Sequence, residues 1–197
     1  NGTDGANTDA AKITIDILDS NTAPSAVNDS GTLNENATLS RSAKNGIIQS
    51  NDTDAEGDSL TISQFQTGST DNPSAVIGAF GVPLDGDYGQ LSLQANGSFD
   101  YVANRATAEA LTTGESASDT FSYTVSDGKL SEMAEISFTI NGINDAPDLV
   151  DAIKTKKYTE GQSNVTIIDG SLTIRDVDDI NIENASVSIT DEFQTNE

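Results

Sequence analysis

The chain contains no cysteine, no histidine and no tryptophan among its 197 residues. Without cysteine there are no disulfide bonds, and without thiolate or imidazole ligands zinc and similar metals are poor candidates for a bound ion. Histidine and cysteine are also common general bases and nucleophiles, and tryptophan is a common platform for sugar rings. We therefore expect that the protein is not an enzyme.

Basic residues are also scarce, since nine Lys and Arg stand against 32 Asp and Glu, for a net charge of −23. Such a chain repels nucleic acid and anionic membranes and attracts cations. Its apolar runs fall far short of the ~20 residues of a membrane span, so neither nucleic-acid binding nor membrane insertion is expected. A solvated acidic surface, as in a protein from a salty habitat, remains open unless the acids are grouped.

The sequence repeats itself at an offset of 123 residues, because residues 4–24 align with residues 127–147 without a gap. Eight aligned pairs are identical, including Asp4/Asp127 and Pro24/Pro147. Self-similarity at a fixed offset indicates tandem units. We expect the end of one repeat with its linker (1–23), a complete repeat (24–146) and the N-terminal part of a following, truncated repeat (147–197), within a longer protein.

Alternation of apolar and polar residues dominates the chain and predicts half-buried strands. Leu91 to Leu93, then Asn96-Gly97, then Phe99 to Tyr101 predicts a β-hairpin. Only residues 104–111 have helix-favouring content, enough for one or two turns. The predicted fold class is all-β, as tandem Greek-key β-sandwiches.

The acidic residues fall into groups that recur between repeats. The densest group contains Asp52, Asp54 and Asp58 around Gly57, and the cluster Asp176 to Asp179 lies at the matching distance from its own proline. Carboxylates that alternate around a bend can converge on Ca²⁺, which takes six to eight oxygen ligands. The alternative is an ordinary polar loop, because Asp and Gly are common turn formers.

The order of these motifs resembles that of cadherin-like repeats, and it is similar in more detail to the VCBS-type repeats of large bacterial RTX-type adhesins. The residues that carry the resemblance are Glu35-Asn36, Asp52-x-Asp54-x-x-Gly57-Asp58, Tyr88-Gly89-x-Leu91, Gly97-x-Phe99-x-Tyr101, Tyr123-x-Val125-x-Asp127-Gly128 and Asn144-Asp145-Ala146-Pro147.

This resemblance implies Ig/cadherin-like domains with Ca²⁺ bound at their junctions. At the upstream junction the implied ligands are Asn21, Asp52, Asp54, Asp58 and Asp127. At the downstream junction they are Glu35, Asn144, Asp145, Asp176 and Asp178. The upstream linker departs from the pattern, because Thr22 stands where the downstream linker has Asp145.

The resemblance also implies a function: a calcium-stabilised extender repeat of a secreted or cell-surface bacterial adhesin, active in cell adhesion and biofilm formation. Its partners would be the neighbouring repeats, while other domains bind a cell-surface or matrix ligand. The alternative is a β-sandwich module that itself recognises a glycan or protein through the loops around residues 75–87. An exposed apolar patch there, with Phe80 and Tyr88 as candidates, would favour this alternative.

Overall fold

The computed structural model describes residues 20–150, 173–179, 181 and 184. Eight strands between residues 29 and 141 form two four-stranded sheets, which confirms the all-β sandwich. The first sheet has the order β1-β8-β7-β3, with β1 Asp29–Asn34, β3 Thr61–Thr67, β7 Ser116–Ser126 and β8 Ser131–Asn141. The second has the order β2-β6-β5-β4, with β2 Thr38–Arg41, β4 Leu84–Asp85, β5 Gln90–Leu93 and β6 Phe99–Val102.

Strands that are distant in sequence are neighbours in both sheets. β2 pairs with β6 and β3 pairs with β7. The chain passes from one sheet to the other four times: between β1 and β2, β2 and β3, β3 and β4, and β6 and β7. This interlocking is typical of a Greek-key sandwich. The predicted hairpin is present as β5 and β6, in register from Gln90↔Val102 to Leu93↔Phe99. Past residue 146, β9 (Asp148–Val150) pairs with β10 (Thr173–Arg175).

The described residues form little helix. The expected short helix is present as α2 (Ala106–Glu109), but a 3-10 turn at Ala43–Asn45 and α1 (Ile47–Asn51) were not predicted. With three and five residues, these two segments are too short to show a helical period in the sequence. Burial of Ile47 and Ile48 in the core holds α1 in place instead. No helix in this part of the chain is long and apolar enough to cross a membrane.

The core lies between the inner faces of the two sheets and has aromatic rings at its centre. Tyr101 of β6 stacks on Phe138 of β8 with ring centroids 3.9 Å apart, and Phe121 of β7 meets both rings edge-on. All three residues are fully buried. Stacked and edge-on geometries are the favoured ones for aromatic pairs, so this trio contributes more than its buried area alone.

One buried carboxylate joins the two sheets. Asp119 of β7 is 3% exposed, and it accepts the backbone N–H groups of Asp87, Tyr88 and Gly89, each at 3.1 Å. It also accepts the hydroxyl of Tyr101 at 2.8 Å. A charge-assisted bond of this kind is about twice as strong as a neutral one. Asp119 therefore ties the β4–β5 loop to the opposite sheet in a chain that has no disulfide.

We predict that Asp119→Ala destabilises the sandwich by about 3 kcal/mol, because the buried Gly89 N–H, the buried Tyr101 hydroxyl and two partly buried N–H groups lose their acceptor. The matched control is Asp87→Ala, which removes an exposed carboxylate from the same loop and should stay within about 0.5 kcal/mol of the parent. Urea unfolding would measure both from the transition midpoint at constant slope. Equal midpoints for the two variants would contradict the role given to Asp119.

Candidate functional site

The acidic loop after α1 gathers three predicted ligands at the upstream end of the sandwich. Asp52 Oδ1 accepts the Val27 N–H at 2.8 Å, and Asp54 Oδ1 accepts the N–H groups of Glu56 and Asp58 at 3.1 and 2.9 Å. Gly57 has φ 79°, which allows the sharp bend that carries Asp58 back toward Asp54. Asp52, Asp54 and Asp58 line one open, polar depression.

The other carboxylate oxygens of Asp52 and Asp54 have no hydrogen-bond partner among the described residues. Asp52 Oδ2 and Asp54 Oδ2 are buried, and no group in the described part of the chain donates a hydrogen bond to either. A buried acceptor without a donor costs free energy, all the more when it is charged. In Asp52 and in Asp54, backbone N–H groups therefore hold one carboxylate oxygen in place, while the other oxygen has no donor among the described residues.

The other two upstream residues, Asn21 and Asp127, meet each other and a lysine. Asn21 Nδ2 donates to Asp127 Oδ2 at 2.8 Å, and Lys129 Nζ donates to Asn21 Oδ1 at 3.0 Å. The same ammonium lies 3.8 Å from Asp58 Oδ2. Hydrogen bonds from the Leu130 N–H, the Asn21 amide and the Lys129 N–H lower the pKa of Asp127. The structure thus brings all five predicted upstream residues to one end.

Sequence reasoning missed two residues of this end. Lys129 follows the Asp127-Gly128 turn, and nothing in the sequence distinguishes it from an ordinary exposed lysine. Glu56 accepts the hydroxyl of Thr22 at 2.9 Å and its N–H at 3.3 Å. Thr22 therefore binds the acidic loop through two hydrogen bonds to Glu56. It replaces the aspartate expected from the family pattern, so it adds no carboxylate to this end.

Glu35 is the most buried of the predicted ligands, at 1% exposure. It follows β1 directly, its N–H donates to the Asn141 carbonyl at 2.9 Å, and its Oε1 accepts the N–H of Ile143 in the downstream linker. Its Oε2 is buried with no hydrogen-bond partner in the described residues. Asn36 turns the chain with φ 58°, in the left-handed region that Asn tolerates better than most residues.

The predicted ligands of the next repeat lie beside the downstream linker. Asp178 Oδ2 accepts the Asp145 N–H at 3.2 Å, while Asp178 Oδ1 is buried and has no donor among the residues described. One carboxylate oxygen from each of Asp176, Asp178 and Asp179 lies within 4.8 Å of the others. Asn144 is placed differently, because its amide donates to the Asp145 carbonyl. Asp179 was not among the predicted ligands.

Burial, hydrogen bonds and neighbouring negative charges shift the pKa values of carboxyl groups at both ends. Burial raises the pKa of Asp52 to about 6, and the charges of Asp29 and Glu132 add to the rise against the Val27 hydrogen bond. Burial likewise raises the pKa of Glu35, with further contributions from Asp145, Asp178 and Glu109. A hydrogen bond shared between them raises the pKa of Asp178 and lowers that of Asp176.

One protein family matches the sequence that forms this sandwich. A family model described as a bacterial cadherin-like domain matches residues 21–142, more than half of the chain. The chain belongs to the bacterial cadherin-like domain family. Such domains are typically extracellular, adhesion-type repeats. No curated protein matches the chain.

Three solved structures show distant similarity to this cadherin-like chain. The N-terminal four Ig domains of Dscam1 isoform 7.44 match with TM-score 0.34 and 10% identity, over 70% of this chain and 29% of theirs. The endo-fucoidan hydrolase MfFcnA4 of glycoside hydrolase family 107 matches with TM-score 0.28 and 20% identity, over 61% and 14%. A protein from Bacteroides thetaiotaomicron matches with TM-score 0.26 and 13% identity, over 67% and 95%. The chain thus spans less than a third of the first two, and the fold assignment rests on the sheets described above.

We predict that the cadherin-like domain in EDTA becomes less stable as pH rises from about 4 to about 6.5. A carboxyl whose pKa is higher in the folded state than in the unfolded state binds more protons when folded, so stability falls as pH rises through that interval. For Asp52 the interval runs from 3.8 to about 6. Because this side chain is only half-buried, solvent screening reduces the loss to about 1 kcal/mol.

The variant Asp52→Asn keeps an acceptor for the Val27 N–H and removes the charge, so it should lose less stability over the same pH range. Part of the slope should remain, since the pKa of Glu35 is raised as well. The control is Asp100→Asn on the exposed side of β6, which should keep the parent slope. Urea unfolding at several pH values gives the slopes. A slope for Asp52→Asn equal to that of the control, or steeper, would contradict the assignment.

Proposed function

We propose that this domain is a calcium-stabilised extender repeat of a large secreted or cell-surface bacterial adhesin of the RTX type. Within such a shaft it would fix the angle to its neighbours and so project a distant binding domain in cell adhesion and biofilm formation. One observation carries the proposal. Among the described residues, five buried side-chain polar atoms lack a hydrogen-bond partner, and four of them are oxygens of predicted ligands: Glu35 Oε2, Asp52 Oδ2, Asp54 Oδ2 and Asp178 Oδ1.

Native proteins leave few buried polar atoms without partners, so four carboxylate oxygens at the two ends of one domain need an explanation. Bound Ca²⁺ would supply positive charge and could be coordinated by several carboxylate oxygens at once. The donor set fits such a hard ion, because it consists of carboxylates with no thiolate or imidazole. Asp52 and Asp54 would hold it upstream, and Glu35, Asp176 and Asp178 would hold it downstream.

The stiffening mechanism follows from where the ligands lie along the chain. Glu35 belongs to the complete sandwich and binds the linker at Ile143, whereas Asp178 belongs to the next repeat and binds the linker at Asp145. Without a cation, carboxylates from two repeats repel each other across this short linker. With shared positive charge between them, the same groups oppose bending.

The alternative of a ligand-binding loop also has support. Val76, Ile77 and Val82 are 58%, 64% and 54% exposed, and Phe80, which contacts Phe65, is 40% exposed. This is the apolar patch that the alternative requires. The extender function is preferred because the uncompensated carboxylates lie at the two junctions and have no part in this patch.

We predict that a few millimolar Ca²⁺ raises the melting temperature relative to EDTA, and that equimolar Mg²⁺ raises it much less. For a site with a Kd of roughly 0.1 to 1 mM, linkage gives about 1 to 2 kcal/mol per site. Mg²⁺ demands near-octahedral geometry and retains its water. Identical melting curves in Ca²⁺ and EDTA would remove calcium from the proposal.

The variant Asp54→Asn sharpens this experiment. Its Oδ1 still accepts the N–H groups of Glu56 and Asp58, so the loop keeps its shape while the uncompensated oxygen becomes an amide. Isothermal titration should show loss of the upstream site, whereas the control Asp100→Asn should bind like the parent. Unchanged stoichiometry and affinity in Asp54→Asn would exclude this residue as a ligand.

We predict for the downstream junction that Asp145→Ala leaves each repeat folded and frees the angle between them, because the linker loses its carboxylate. The measurement is small-angle scattering on a chain extended to complete the following repeat. The parent should give an extended profile that depends on Ca²⁺, and the variant a heterogeneous one even with the ion. Equal profiles for the parent in Ca²⁺ and EDTA would mean that ordinary packing holds this junction.

A further inference from the structure

The first and last strands of the sandwich lie side by side and run in the same direction. β1 pairs with β8 in parallel register over six positions, from Asp29↔Ile136 to Asn34↔Asn141. β1 begins at Asp29, at the upstream end, and residues 24–28 connect it to the linker that contains Asn21. β8 ends at the downstream end, directly before the linker that contains Asp145.

This arrangement determines how the hydrogen bonds between β1 and β8 are loaded when the domain is pulled. A pull on the two linkers draws β1 and β8 in opposite directions along their common axis, so the hydrogen bonds of the whole ladder are strained together. A pull that lifts one end of β1 away from β8 strains the bonds one after another. Each bond contributes little alone, so loading them together requires a larger force than opening them in sequence.

Hydrogen bonds also secure both ends of the β1–β8 ladder. At the downstream end, Glu35 N–H donates to the Asn141 carbonyl at 2.9 Å and the Glu35 carboxylate accepts the Ile143 N–H. At the upstream end, Asn28 Oδ1 accepts the Glu135 N–H at 2.9 Å. The Tyr123 hydroxyl donates to Asp29 Oδ2 at 2.7 Å. β1 is thus tied to its sheet at each end of the ladder.

The core adds resistance to sliding. Leu33 of β1 is 8% exposed and lies in the core between the sheets. Gly31 lies so close to Phe138 of β8 and Leu39 of β2 that a Cβ there would be 3.1 and 2.5 Å from their side chains. Movement of β1 along β8 must therefore disturb close packing as well as the ladder.

We propose that the β1–β8 pair is a force-bearing clamp, which lets this repeat carry tension from one linker to the other without unfolding. The clamp rests on the proposed function only for the direction of the load, since a shaft is pulled through its linkers. The strand geometry itself does not depend on a bound ion.

The test is single-molecule force spectroscopy with two directions of pull. The chain has no cysteine, so pairs of introduced cysteines define the attachment points. Ala23→Cys with Ala146→Cys pulls through the linkers and shears the ladder. Ala23→Cys with Ser131→Cys pulls from the upstream end of both strands and peels β1 from β8. Residues 23, 131 and 146 are exposed, so the handles should not disturb the core.

At the same loading rate, the shear pair should unfold at no less than twice the force of the peeling pair. Its unfolding is recognised by release of about 400 Å of chain between the handles. Urea unfolding of both double variants should give the same stability, which assigns any difference in force to direction alone. Equal forces in the two directions, or a larger force for the peeling pair, would overturn the clamp.

Repeating both pulls in Ca²⁺ and EDTA separates this inference from the calcium proposal. If the domain binds no calcium, the difference between the two directions should persist with no effect of the ion. If the clamp is absent, the two directions should give equal forces in each buffer, whatever the ion does to both.

Discussion

The structure depends on how a strongly acidic chain stabilises carboxylates that it removes from water. Asp119 receives three backbone N–H groups and a tyrosine hydroxyl, so its charge is satisfied within the protein and joins the two sheets. Glu35, Asp52, Asp54 and Asp178 each keep one buried oxygen without a donor. Satisfied carboxylates hold the sandwich together, whereas the carboxylates at its ends each have one buried oxygen with no donor among the described residues, which is the basis of the calcium proposal.

The two ends differ in how much positive charge the protein itself supplies. Upstream, Lys129 lies between Asn21 and Asp58, but its side chain is 66% exposed and 3.8 Å from the carboxylate. Such a pair is strongly screened, and it does not reach the uncompensated oxygens of Asp52 and Asp54. Downstream, the linker carries Asp145 where the upstream linker carries Thr22, and the charges of Asp145 and Asp178 act on Glu35. On the calcium proposal, the downstream junction would therefore depend more on a bound cation.

Period-two alternation and the Asn96-Gly97 turn were enough to predict the sandwich and the β5–β6 hairpin, because both are local signals. The resemblance to cadherin-like repeats implied which acidic residues gather at each end, and the repeat offset showed only that the acidic groups recur. The parallel pairing of β1 with β8 could not be predicted, since it joins strands about a hundred residues apart. The role of Asp119 was also hidden, because only the folded loop shows which carboxylates receive donors. For the same reason Lys129 and Glu56 were missed.

Glu35 links the two properties proposed for the domain, rigid junctions and resistance to tension. One oxygen accepts the Ile143 N–H and so extends the attachment of β1 beyond the end of β8. The other is buried and faces the charges of Asp145 and Asp178 with no donor of its own. A cation beside this second oxygen favours the ionised carboxylate, and an ionised carboxylate is the stronger acceptor for Ile143. If the proposed Ca²⁺ binds there, its loss would therefore weaken the junction and the downstream end of the β1–β8 ladder through one side chain.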